Sequence, residues 1–225
     1  VQTCALPISA TWSQLTPGGG SGPTPRWGAS ACFSYNGAAV RSMWIFGGEG
    51  TGKNSELWEL DLQSGPPGNW SLRSSSGGPD AREGAAMGWD SRRNRILVVG
   101  GKNAAGSNHQ YFEFDPTLPG WASRSPSNTG SQEDFYDSGA IYEDLHRRFL
   151  HAPFAKPKYQ ALVVTTGVSQ VVPSWHYMTA PGTDHATATS GLFDPVAGRY
   201  YALFGERTIS GRPSGTNGAA IIHVK

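Results

Sequence analysis

One composite pattern recurs along this chain at intervals of about fifty residues, and a repeat of that length marks a small supersecondary unit that buries its faces against its neighbours. The stretch PRWGASACFSYNGAAVRSMWIFGG, Pro25 to Gly48, is followed by ELWELDL, Glu56 to Leu62, and then by Trp70. The same parts return in order as AREGAAMGWDSRRNRILVVGG, Ala81 to Gly101, then QYFEFDP, Gln110 to Pro116, and then Trp121. Gly47 and Gly100 lie 53 residues apart, Trp70 and Trp121 51, and Trp121 and Trp175 54. Any fold for this chain has to place one kind of unit several times over.

Each unit reads as four strands. The innermost is apolar (Ala29 to Phe33; Ala85 to Trp89), the second ends in a Gly pair, the third alternates large residues, and the outer one carries Trp. Successive strands pair antiparallel, so inner strands are apolar on both faces while outer ones alternate. The pairs Gly47-Gly48 and Gly100-Gly101 fall where a chain turns sharply or meets a neighbouring backbone, and glycine alone accepts a positive φ there without strain. A phosphate-binding loop would need a following helix and a Lys-Ser/Thr pair, and neither is encoded. With 30 Gly and 16 Pro beside eight Trp, eight Tyr and nine Phe, the composition suits many short strands joined by tight turns.

The succession of Arg-x-Gly, apolar strand, Gly-Gly, Leu-Trp-x-x-Asp and a late Trp resembles the kelch repeat. Arg26, Gly28, Phe46, Gly47, Gly48, Leu57, Trp58, Asp61 and Trp70 carry the resemblance in the first unit. Arg82, Gly84, Gly100, Gly101, Tyr111, Phe112, Asp115 and Trp121 carry it in the second. The third is degenerate: FLHAPFA, Phe149 to Ala155, stands where the Gly pair belongs, although Trp175 arrives on schedule. In the fourth, Asp194 to Glu206 repeats the hairpin chemistry, Glu206 replaces the second Gly, and AIIHVK offers a third strand with no Trp strand after it. The resemblance implies an all-β chain, a β-propeller of about four kelch-like blades over residues 25–72, 81–123, 134–177 and 184–225, within a single domain spanning 10–225. An outer strand at 10–16, around Trp12, would then complete the last blade and close a four-bladed ring. The alternative, which the small blade number favours, is an arc of a larger propeller. Residues 1–9, VQTCALPIS, fit no repeat and read as a non-native or disordered leader.

Charge and cysteine content narrow the function. Eighteen basic against seventeen acidic side chains leave a net charge of +1, which argues against nucleic acid. The one dense basic run, Arg92, Arg93 and Arg95, reads as a solvated hairpin turn. No run of eighteen apolar residues encodes a membrane-spanning helix. Cys4 and Cys32 build no disulfide framework, and the six histidines show no spacing that prearranges a metal site. No cofactor or metal is expected.

In propellers of this kind ligands lie at one end of the central channel, where rigid blades position variable loops. The loops leading into the innermost strands are PTPRWG, GPDAREG, EDFYDSG and GTDHAT, and they offer Arg26, Trp27, Arg82, Glu83, Tyr136, Asp137, Asp184 and His185, together with Asp80 and Asp134. Arginines, aromatic rings and carboxylates at one channel mouth suit a polar ligand through bidentate guanidinium contacts and ring stacking. Arg26 and Arg82, at a repeat position, better suit a role as braces of the neighbouring blade through hydrogen bonds to backbone carbonyls. The expected function is a non-enzymatic binding module for a protein or glycan, acting as a monomer. The alternatives are a carbohydrate-active enzyme, epimerase-like or oxidase-like, or a structural fragment of a larger propeller. A copper oxidase resembling galactose oxidase would need a Tyr-Cys cross-link, whereas Cys32 reads as a small apolar filler of an inner strand. No Gly-x-Ser-x-Gly elbow is present. The Ser- and Gly-rich loops resemble those of exported bacterial kelch-like proteins, which points to a secreted or cell-surface location.

Overall fold

In the computed structural model, residues 16–18, 21–37, 39–63, 68–118 and 120–124 are described with their side chains. Further along, the backbone of eight strands between residues 141 and 223 is described, with side chains at Tyr142 and residues 147–149. The expected leader at 1–9, Trp12, Tyr136, Asp137, Asp184 and His185 lie outside the described residues.

The described residues form strands and turns without a helix, and every sheet is antiparallel. In the first sheet β1 (Ser30–Asn36), β2 (Ala39–Phe46), β3 (Leu57–Asp61) and β4 (Asn69–Ser74) pair in chain order. The second unit opens with β5 (Ala86–Asp90) and β6 (Arg95–Val99), and interposes a short ladder of β7 (Lys102–Asn103) and β8 (Gly106–Ser107). It closes with β9 (Tyr111–Asp115) and β10 (Gly120–Arg124), giving a second sheet in the order β5-β6-β9-β10. The third sheet pairs β11 (Ile141–Glu143), β12 (Arg148–His151), β13 (Lys158–Thr166) and β14 (Val171–Thr179) in chain order. In the fourth, β15 (Thr187–Asp194) pairs β16 (Arg199–Ile209), whose far end pairs β17 (Arg212–Ser214) and whose near end pairs β18 (Gly218–His223). The third sheet thus forms without a Gly pair, and the small β7–β8 ladder escapes a reading by periodicity because two-residue strands have no period.

Packing follows from the faces. Trp44, Phe46 and Leu57 of the first sheet share a buried cluster with Met87, Trp89, Ile96, Val98 and Phe114 of the second. The opposite face of the second sheet, Ala86, Leu97, Val99 and Tyr111, packs against Phe149 and Tyr142 of the third. Burying both faces is why β5 and β6 read as unbroken apolar runs, and each fully buried large side chain contributes about 1.5–3 kcal/mol. Gly88 sits at the second of these contacts, where a β-carbon would overlap the Tyr142 Cβ, so the sheets meet this closely only because position 88 has no side chain. The first strands of the four sheets adjoin in succession, β1 beside β5, β5 beside β11, and β11 beside β15.

Two further features recur. The segments leading into the first two sheets cross those sheets' outer Trp, with Gly22 lying against Trp70 and Gly78 against Trp121, whose indole N–H also donates to Ser74 Oγ at 3.0 Å. The Gly pairs turn with φ of 69° and 91° at Gly47 and Gly48, and 69° and 88° at Gly100 and Gly101, which lets Gly48 N–H reach the Arg82 carbonyl of the next unit at 2.8 Å.

The Arg92–Arg95 run forms the β5–β6 turn but is not simply solvated. Asp90, fully buried, accepts from Arg92 N at 3.1 Å and Arg93 N at 3.2 Å, and binds Arg93 Nε at 2.6 Å. Arg93 also pairs with buried Glu113 at 2.8 Å, and Glu113 accepts from the Tyr111 hydroxyl at 2.8 Å. From the third sheet, Arg147 reaches Asp90 at 3.1 Å while its own backbone holds a φ of 56°, a conformation costly for a residue with a side chain. Desolvation works to raise the Asp90 pKa, but the hydrogen bonds and charge of Arg93 and the charge of Arg147 outweigh it and hold the carboxyl below its ordinary value.

Candidate binding site

The segments that lead into β1 and β5 are extended by one more backbone pair each. Trp27 pairs with Glu49 through two hydrogen bonds of 2.9 and 2.8 Å, and Glu83 pairs with Lys102 through two of 3.1 and 2.9 Å. Both pairs lie just beyond the Gly pairs, and the two segments are joined directly by Gly84 N–H donating to Gly28 O at 2.7 Å. The repeat therefore presents, at one end of the first two sheets, the residue after each repeat-position Arg opposite the residue after each Gly pair.

At the repeat position itself the two arginines turn into their own sheets. Arg82, 1% exposed, donates from Nε to Asp80 O at 2.9 Å, from Nη1 to Gly100 O at 2.8 Å and Asn108 Oδ1 at 2.9 Å, and from Nη2 to Gln110 Oε1 at 2.8 Å. Its guanidinium lies over the Phe112 ring, 5.4 Å from the centroid, and burial pushes its pKa down. Arg26 repeats the pattern with Thr24 O at 2.9 Å, Gly47 O at 3.2 Å and an ion pair to Glu56 at 2.9 Å. Each thus ties the segment leading into its sheet to the carbonyl that ends the second strand, within one sheet rather than across two.

The non-repeating residues behave differently. Trp27 is 59% exposed, whereas Glu83, at the equivalent place, is buried. Lys53, from the loop after the first Gly pair, bridges Glu83 and Glu49, the latter at 3.0 Å. The hydrogen bond to Glu83 leads the effects that hold the Lys53 ammonium above its ordinary pKa, and the hydrogen bond from Lys53 leads those that hold the Glu49 carboxyl below its own. One oxygen of Glu83, Oε2, is buried with no hydrogen-bond partner among the described residues. The structure so gathers Trp27 and Glu83 of the sequence candidates, adds Glu49, Lys53 and Lys102, and turns Arg26 and Arg82 away. Glu49 and Lys102 each follow a Gly pair with opposite charge, which is the signal that marks them in the sequence; Lys53 meets Glu83 across thirty residues and leaves no such mark.

No family model matches the chain, and no curated protein matches it. Solved structures do match by shape. One described as "Structure of YjhT" aligns with a TM-score of 0.59 at 13% identity, over 87% of this chain and 63% of that one. At this identity the likeness is one of fold, and the chain spans less than two thirds of that structure's length. Among the described residues no helix is long and apolar enough to cross a membrane.

Proposed function

We propose that the four sheets are blades of a kelch-like β-propeller and that the chain is a non-enzymatic binding module, taking a glycan at the glycine-pair end of the first two sheets. The succession of first strands β1, β5, β11 and β15 supports the radial arrangement. The ligand reading is carried by one observation: an exposed indole, Trp27, shares a backbone row with Glu49 and with Lys53, a largely shielded ammonium held between Glu49 and Glu83. An indole face stacks on the apolar face of a sugar ring, while carboxylate and ammonium groups beside it accept and donate to hydroxyls. A secreted location fits that ligand class. The test is a screen of the labelled 225-residue chain against glycan and peptide arrays. Glycan binding lost in Trp27→Ala and weakened in Lys53→Met supports the reading; binding of peptides alone, or glycan binding indifferent to Trp27→Ala, overturns it.

A carbohydrate-active enzyme is the second reading, favoured by the unpartnered Glu83 Oε2, since a buried carboxylate oxygen beside an ammonium group is the arrangement of an acid–base residue. Turnover of any accepted sugar that vanishes in Glu83→Gln, with binding retained, would move the assignment to this class.

A further inference from the structure

The first and second sheets can be compared position by position through their register. Phe33, Met43, Leu60 and Trp70 stand opposite one another in a row across the first sheet. Trp89, Ile96, Phe114 and Trp121 make the corresponding row across the second. Directly opposed residues of an antiparallel sheet share a face, so these rows are the same face of two successive units. In the second sheet that face is closed by the first: Trp89 is 5% exposed and Ile96 fully buried. In the first sheet only the outer part is closed, with Leu60 buried and Gly22 lying on Trp70. The inner part is open, with Phe33 52% exposed and Ala31 exposed beside it. Leu72, on the same face by its place opposite Trp58, is exposed as well.

Aromatic and aliphatic side chains clustered on an open sheet face mark a surface that another element covers. We infer that this face is a sheet-packing interface whose occupant is a further four-stranded antiparallel sheet of the same repeat, presenting the face equivalent to Cys32, Trp44, Phe46 and Leu57. The inference is independent of the ligand reading. It rests on continuity with an interface already present, since that face of the first sheet is what closes over Trp89. The fourth sheet as placed does not close this face, since Phe33 remains 52% exposed with its strands present.

The experiment is urea unfolding, followed by Trp fluorescence, of two chains: the 225-residue chain, and one in which residues 16–74 are duplicated in tandem ahead of residue 16. In the 225-residue chain, Phe33→Lys leaves the midpoint unmoved, whereas Trp89→Lys abolishes the cooperative transition; Trp89→Ala, a milder change, lowers the midpoint if the lysine variant does not fold. In the duplicated chain the midpoint rises, and Phe33→Lys in the downstream copy removes the rise. The inference is overturned by any of three results. Phe33→Lys as damaging as Trp89→Lys in the 225-residue chain makes the fourth sheet the occupant. Duplication that leaves the midpoint unchanged denies that a further sheet fits. A dimer seen by light scattering and dispersed by Phe33→Lys makes the occupant a second copy.

Discussion

Replacing Arg82 by methionine tests whether the repeat-position arginines brace the sheets or serve a ligand. The variant keeps most of the aliphatic stem and removes the guanidinium, with its four hydrogen bonds of 2.8–2.9 Å. These do not count equally. Asp80 is exposed and Gln110 exposed, so their acceptors rehydrate; Asn108 is part-exposed; the Gly100 carbonyl belongs to a fully buried residue and stays unsatisfied. A hydrogen bond from a charged donor to such a buried acceptor is worth about 1.5–3 kcal/mol. Loss of the cation over Phe112, a desolvated pair because Arg82 is 1% exposed, adds about 2 kcal/mol. Relief of the cost of burying the guanidinium offsets part of this. The expected net loss is about 2–4 kcal/mol, large against the 5–15 kcal/mol typical of a folded domain. Urea unfolding gives the number directly, with exposed Arg41→Met as a control expected to stay within about 0.5 kcal/mol. A loss below about 1 kcal/mol for Arg82→Met, within reach of the surface control, would mean that the bonds described here do not hold the sheet, and the bracing argument falls.

Three other outcomes are expected. Gly88→Ala drives a β-carbon into the Tyr142 Cβ and should cost at least about 3 kcal/mol by urea unfolding; Tyr142→Gly restores part of the loss in the double variant, and Tyr142→Ala, which keeps the offending carbon, does not. Asp90, whose folded pKa lies below its unfolded value, contributes stability that is fully present above the ordinary aspartate pKa of about 3.9 and is lost as the pH falls through the lower folded value. The urea midpoint should therefore decline below about pH 5, and Asp90→Asn, already weakened at neutral pH, should show a flatter acid limb; an unchanged limb removes Asp90 from the account. Trp27→Ala should leave the urea midpoint within about 0.5 kcal/mol of the parent because the indole is exposed, while abolishing any glycan response, and a large loss of stability would show that the ring is structural.

What the sequence discloses and what it hides divide along physical lines. Gly47, Gly48, Gly100 and Gly101 are legible because a positive φ restricts the choice of residue, and the Trp at each outer strand is legible because its spacing repeats. The strand order inside each sheet follows from these. The direction in which a guanidinium points does not: Arg26 and Arg82 carry the same chemistry whether they meet a carbonyl or a ligand, and only their distances to Gly47 O and Gly100 O separate the two. Arg93 reads as a surface charge until Asp90 and Glu113 are seen beside it, the second twenty residues away and on another strand. Likewise Lys53 and Glu83 come from different units, so no pattern within one repeat predicts their pairing.

The contacts of Gly22 with Trp70 and of Gly78 with Trp121 give each of the first two units its own clasp, made by residues less than fifty positions apart. A chain that leaves the ribosome at about 5–20 residues per second delivers both halves of a clasp within roughly two to ten seconds. Synthesis can therefore seat the outer Trp of one sheet before the next sheet has emerged, whereas the Trp44 face waits for the second sheet to cover it.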